Sequence, residues 1–158
     1  MYTIDDLDRV EELDDLPPHS PGAPMPLLLA DDNHLLLSYE VGLDGQDIAM
    51  LEFVHHRAHY FGSPNDEALT GHPLATRGLQ PYGIFEVRSS SWIRSLERMN
   101  RVHRLHDRQR FDRLRHFVFT FHDCTLECVA ENAIVFDRRS NDGESSLARM
   151  AARLQGQP

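Results

Sequence analysis

The sequence predicts an α+β domain: a mostly antiparallel β-sheet, a helix packed on one face, a C-terminal helix and an extended N-terminal arm. Three observations carry this. Short β-rich apolar runs outnumber helical patterns, turn signals join neighbouring runs into hairpins, and five of the nine prolines fall between Pro17 and Pro26. A chain of 158 residues, 41% hydrophobic, suits one domain with a sizeable core.

Residues 1–26 read as an acidic, proline-rich arm, and 27–158 as the domain. In the arm Ile4, Leu7, Val10, Leu13 and Leu16 recur every three residues, a step that drifts about 60° per repeat on an α-helix. A short helix over 3–16 that docks only in part is expected, with Thr3 and Asp6 as a weak capping pair. The prolines after it give a stiff linker.

Leu35, Leu37, Tyr39 and Val41 alternate with Leu36, Ser38 and Glu40 and predict a strand. Gly42-Leu43-Asp44-Gly45 turns it into a second, Ile48 to Val54, which is expected to continue through His55 to Phe61. Residues 62–81 hold glycine, proline, asparagine and aspartate and read as a long loop, a kind of segment that is often functional.

Gly83 to Arg88 is the next strand. Ser89, Ser90 and Ser91 then offer an N-cap to a helix that packs Trp92, Leu96, Met99 and His103, or Ile93, Leu96 and Asn100, on the sheet and displays Arg94, Arg98 and Arg101, with Glu97 placed to pair with Arg101. Phe117 to Phe121 and Leu126 to Val129 form two antiparallel strands, with Ala133 to Phe136 as a third. After Asp142-Gly143, residues Leu147, Met150, Ala151 and Leu154 make an amphipathic helix.

All 16 basic residues are arginine. Without lysine there is no Schiff base, no pyridoxal-phosphate anchor and no phosphate-binding P-loop lysine. The formal charge of −9 averages a −12 balance over residues 1–66 and +3 over 67–158. Eight arginines lie between Arg94 and His116, yet the acidic total disfavours nucleic acid as a partner. Attraction between the halves helps compaction. The N-terminus lacks a signal-peptide pattern and the apolar runs are too short to span a bilayer, so a cytoplasmic protein without a membrane partner is expected. Cys124 and Cys128 on one strand would stand about 13 Å apart, too far to bridge.

Chemistry can then rest only on histidine, carboxylate or cysteine. His55 and His59 are four apart, but His56 stands where a zinc protease needs glutamate, and Arg57 lies between them. On one strand face, His55, Arg57 and His59 suit an anionic ligand better than a metal. The 61–74 loop adds Asn65, Asp66, Glu67 and His72 as ligand-binding candidates. The densest cluster is Phe121-His122-Asp123-Cys124-Thr125-Leu126-Glu127-Cys128. There His122 is the candidate proton-transfer group and Asp123 or Glu127 its orienting carboxylate, with Thr120 opposite Glu127 if the turn is tight. No metal ligand set and no cofactor is assigned.

Phe61-Gly62-Ser63-Pro64-Asn65-Asp66-Glu67-Ala68-Leu69, Gly71-His72-Pro73-Leu74, Ser91-Trp92-Ile93 and the run from His116 to Cys128 together resemble a family of uncharacterised bacterial proteins. The resemblance covers much of residues 55–130 and implies a small intracellular bacterial domain, with no activity attached. The leading expectation is a non-catalytic binding or accessory protein, immunity-like or regulatory, with a protein partner or a second copy. The alternative is a small enzyme, or a metal- or anion-binding domain, using the His/Asp/Glu cluster.

Overall fold

The computed structural model describes residues 2–43, 45–140 and 145–156. Asp44 of the expected turn and the Asp142-Gly143 break lie outside the described residues. The strands are β1 (Arg9–Glu12), β2 (Leu27–Ala30), β3 (Leu35–Val41), β4 (Asp47–Val54), β5 (Ala58–Gly62), β6 (Ile84–Arg88), β7 (Arg115–Thr120), β8 (Thr125–Ala130) and β9 (Asn132–Ser140). The helices are α1 (Ser91–Asn100), the short α2 (Gln109–Asp112) and α3 (Ser146–Leu154). The fold is α+β with antiparallel sheets and a C-terminal helix, as the sequence predicts.

The strands form two sheets rather than one. The first runs β1-β6-β7-β8-β5 and the second β2-β3-β4-β9. They pack face to face. Tyr39, Leu51 and Phe53 of the second sheet meet Phe117, Phe119, Phe121 and Cys128 of the first in one buried cluster. Phe53 lies 5.8 Å from both Phe117 and Phe119, ring centre to ring centre. Period-two alternation on β3 and β4 supplies this inner face, and the other parity supplies an outer one.

The split into two sheets has a local cause. β5 pairs with β8, and β4 pairs with β9, so residues 47–62 and 125–140 form one long two-stranded ribbon. The ribbon bends where His55 takes a positive φ of 52° and Glu131 separates β8 from β9. Beyond the bend each strand joins the other sheet. The expected continuation of the second strand through His55 to Phe61 is therefore corrected: it is broken at His55. Ala133 to Phe136 does lie in a strand, but one paired with β4.

The N-terminal segment is not an arm, and no helix forms over residues 3–16. β1 pairs with β6 in the register Val10↔Val87, and Leu16 enters the inter-sheet core. The three-residue step gives no helical stripe, whereas an edge strand buries Val10 and leaves Glu11 free to pair with Arg88 at 2.8 Å. Asp5 pairs with Arg94 and Asp6 with Arg77, so the acidic segment is drawn onto the arginine-rich half. Asp8 is fully buried and accepts hydrogen bonds from the backbone N–H groups of Ser91 and Asp5.

Helix α1 begins as expected, with Ser90 Oγ accepting from Ile93 N–H, and Glu97 pairs with Arg101 at 2.8 Å. Met99, expected in the core, is exposed. Residues 62–81 are an ordered cover, in which two 3-10 turns bury Leu69, Leu74 and Leu79 against Phe85, Val87 and Val118 on the outer face of the first sheet. Helix α3 covers the outer face of the second sheet, where Met150 packs with Leu36, Ile48 and Met50. Among the described residues no helix is long and apolar enough to cross a membrane.

Candidate functional site

Strand β8 reads Thr125-Leu126-Glu127-Cys128-Val129-Ala130, and the whole strand is buried. Alternation sends Leu126, Cys128 and Ala130 into the inter-sheet core and Glu127 to the outer face. The β7–β8 hairpin turns on His122-Asp123, with Phe121 N–H donating to Cys124 C=O. Thr120 therefore stands opposite Thr125, and Val118 opposite Glu127. The expected Thr120–Glu127 pairing is off by two residues. A two-residue difference leaves Glu127 on the face with Thr120 but sets Val118 and His116 closer to it.

A carboxylate side chain 1% exposed needs partners, and Glu127 has three. Tyr2 OH donates to Oε2 at 2.5 Å. His116 Nε2 meets the same oxygen at 3.1 Å, and His72 Nε2 meets Oε1 at 3.3 Å. The tautomers follow from the other ring nitrogens. Leu74 N–H donates to His72 Nδ1, so the His72 proton sits on Nε2 and points at Glu127. Ser90 Oγ, already accepting from Ile93, can donate its own proton to His116 Nδ1 at 2.9 Å, which makes His116 Nε2 a donor too. Burial alone pushes the Glu127 carboxyl up. The His116 and His72 hydrogen bonds, the His116 charge and Tyr2 outweigh it and hold the group at about 2. Burial, then the Glu127 charge, push the Tyr2 phenol far up, so it remains a donor.

This network borders a cavity of about 410 Å³ lined by Tyr2, Tyr60, Trp92, Met99 and Glu127, with His59 and Ser95. Tyr2 stacks on Trp92 with ring centres 5.1 Å apart and planes 9° apart. His116 meets both rings edge-on. Burial lowers the His59 pKa and keeps its ring neutral. The cavity thus has an ionised carboxylate, held by a phenol and two imidazoles, and aromatic rings in its lining. Oε1 of Glu127 takes one protein hydrogen bond and keeps acceptor capacity for another.

The remaining candidates lie elsewhere. His122 is half exposed in the hairpin loop. Its Nδ1 lies 3.0 Å from Asp66 Oδ2 and 3.1 Å from Tyr82 OH, and Asp66 N–H donates to His122 C=O. Tyr82 OH also donates to Asp66. That hydrogen bond leads the causes that lower the Asp66 pKa. Asp66, not Asp123 or Glu127, orients His122. Asp123 is 79% exposed and 3.9 Å from His122 Nε2. His122 and Glu127 belong to separate clusters because the loop residue and the mid-strand residue have different partners. The 61–74 loop touches both, through Asp66 at one and His72 at the other.

Asn65 Oδ1 accepts from Ala68 N–H, a turn role, and the exposed Glu67 donates its N–H to Asp66. His55 sits at the ribbon bend, 3.2 Å from Glu131. Arg57 borders a neighbouring cavity. Because the chain bends there, His55, Arg57 and His59 do not share a strand face, and the expected anion site across them is not assembled. Among the described residues, no group of three or more His, Cys, Asp or Glu side chains is placed to hold a metal ion. Cys124 and Cys128 are both free thiols.

Sequence reasoning missed His116 and Tyr2. His116 was findable, since a two-residue hairpin loop puts it on the Glu127 face. Tyr2 carries no local signal, being 125 residues from its partner. Comparison with protein families, with curated proteins and with solved structures finds no match to the chain, so the site rests on its own geometry.

Proposed function

We propose that the protein is a non-catalytic binding protein that takes a small organic cation in the cavity over Glu127. The observation that supports this is the ionised, buried carboxylate at the base of an aromatic-walled cavity. Hydrogen-bond donors hold Glu127 ionised, and in water-poor surroundings a carboxylate acts strongly on an entering ammonium group. Trp92, Tyr60 and Tyr2 add the ring faces that favour organic cations. A carboxylate base favours the opposite ligand charge from the anion expected of the histidine–arginine segment. An accessory, regulatory role in the cytoplasm fits a binder of this kind.

Ser90, His116 and Glu127 stand in the order of a hydrolase triad, which deserves a chemical answer. The Ser90 hydroxyl is buried and caps α1, so it is not presented to a substrate. A second, enzymatic reading has one observation in its favour: Asp66 holds His122 Nδ1, with Asp123 3.9 Å from Nε2, a pairing able to support a base.

Trp92 is the only tryptophan and lines the cavity, so its fluorescence reports the site directly. Titration with hexylamine, benzylamine and hexanol is the test. The amines are expected to shift Trp92 emission, with hexanol weaker by about tenfold or more and the response lost in Glu127→Gln. Equal binding of hexanol, or amine binding untouched by Glu127→Gln, overturns the reading.

A further inference from the structure

We infer that the ligand is dipolar, with an anionic group held by Arg57 and Arg110 at the far end from the ammonium at Glu127. This rests on the cation reading above and extends it to a second cavity. That cavity, about 350 Å³, is lined by Arg57, Leu96, Met99, Arg110, Phe111 and Leu114, with Asn100 at its side. Met99 lines both cavities. One side chain in the last turn of α1 therefore stands between a carboxylate and a pair of guanidinium groups. Met99 is 62% exposed, and an unbranched thioether with three rotatable bonds moves aside at low cost.

Among the described residues Arg57 makes no close ion pair, although its charge acts on Glu131, and the Arg110 pair with Asp107 is long, at 3.8 Å. Six other arginines, Arg77, Arg88, Arg94, Arg101, Arg115 and Arg153, behave differently and pair with carboxylates at 2.5–2.8 Å. Leu96, Phe111, Leu114 and Met99 line the second cavity beside the two arginines, an apolar surface suited to a hydrocarbon body.

The ribbon sets the spacing. Tyr60 stands opposite Glu127 in the β5–β8 pairing, and Arg57 precedes Tyr60 by three residues. β5 begins only at Ala58, so the backbones of Arg57 and Tyr60 stand at most about 10 Å apart. An ammonium and a carboxylate separated by six to eight carbons, or the two ends of a short peptide, match that length. An isolated amine would use only the first cavity and an isolated acid only the second.

The test is a Trp92 fluorescence and calorimetric titration of the full chain with 4-aminobutanoate, 6-aminohexanoate and 8-aminooctanoate beside hexylamine and hexanoate. One of the two longer amino acids is expected to bind about tenfold tighter than hexylamine, with 4-aminobutanoate showing no such gain. The gain should vanish in the Arg57→Gln/Arg110→Gln double variant, which replaces two exposed side chains and should bind hexylamine as the parent does. If hexylamine binds and no amino acid binds tighter, the dipolar inference fails while the cation reading stands. If the gain survives the double variant, the inference also fails. If neither amines nor amino acids bind, the cation reading itself is lost.

Discussion

The outer faces of the two sheets answer the same physical problem in different ways. On the second sheet, α3 lays Met150 onto Leu36, Ile48 and Met50, an apolar cover that needs nothing beyond packing. On the first sheet, α1 and the 61–74 loop cover a face that is apolar at Phe85, Val87 and Val118 but ionised at Glu127. A leucine at 127 would have packed there with no network behind it. Instead four segments of the chain, carrying Tyr2, His72, Ser90 and His116, are arranged around one carboxylate. Buried charge contributes little net stability compared with apolar packing, so a layer that keeps it is the one where function is sought.

The largest expected effect breaks that contrast from the polar side. Glu127→Leu leaves the Tyr2 hydroxyl and the two imidazole N–H groups without an acceptor and should cost about 3–5 kcal/mol in urea unfolding. A variant as stable as the parent would show that the first sheet needs no charge there. Acid titration isolates the same group. The Glu127 carboxyl is held at about 2 against an ordinary value of 4.5. Its contribution is therefore complete above pH 4.5 and fades as pH falls towards 2. The part owed to Glu127, about 3 kcal/mol, should be missing from the pH profile of Glu127→Gln. Parallel profiles for parent and variant would contradict the network.

From the apolar side, Met150→Ala should cost about 2–3 kcal/mol and leave amine binding unchanged, because α3 packs on the other sheet. Altered Trp92 fluorescence in that variant would mean that the two faces are coupled. The smallest effect is expected of His122→Ala. The half-exposed His122–Asp66 pair is screened by water, so the unfolding midpoint should move little. A loss as large as that of Glu127→Leu would put the hairpin cluster on the same footing as the buried one.

Much of the fold was legible because its signals are local. Alternation located β3, short apolar β-rich runs located β4, β7 and β8, the serine cap placed α1, and the spacing of Leu147, Met150 and Leu154 placed α3. Charge asymmetry foreshadowed the pairing of Asp5, Asp6 and Glu11 with Arg94, Arg77 and Arg88. The docking of the N-terminal segment and the split into two sheets escape local signals for one reason: both depend on which distant strand a segment joins. Four residues such as Arg9–Glu12 have no helical stripe or strong alternation of their own, and only β6 makes them a strand. Of the site, Glu127 and His72 were picked out, yet each was assigned other companions.

By itself, then, the sequence determined the types of the strongly patterned elements, the absence of lysine chemistry and the short list of groups able to act, since these follow from residue identity and near-neighbour spacing. Only the tertiary structure decided that the β4–β5 and β8–β9 ribbon bends into two sheets, that His122 faces Asp66 rather than Glu127, and that Tyr2 closes over Glu127. Those outcomes depend on contacts between residues far apart in the chain, and no local periodicity encodes which partner a buried carboxylate will find.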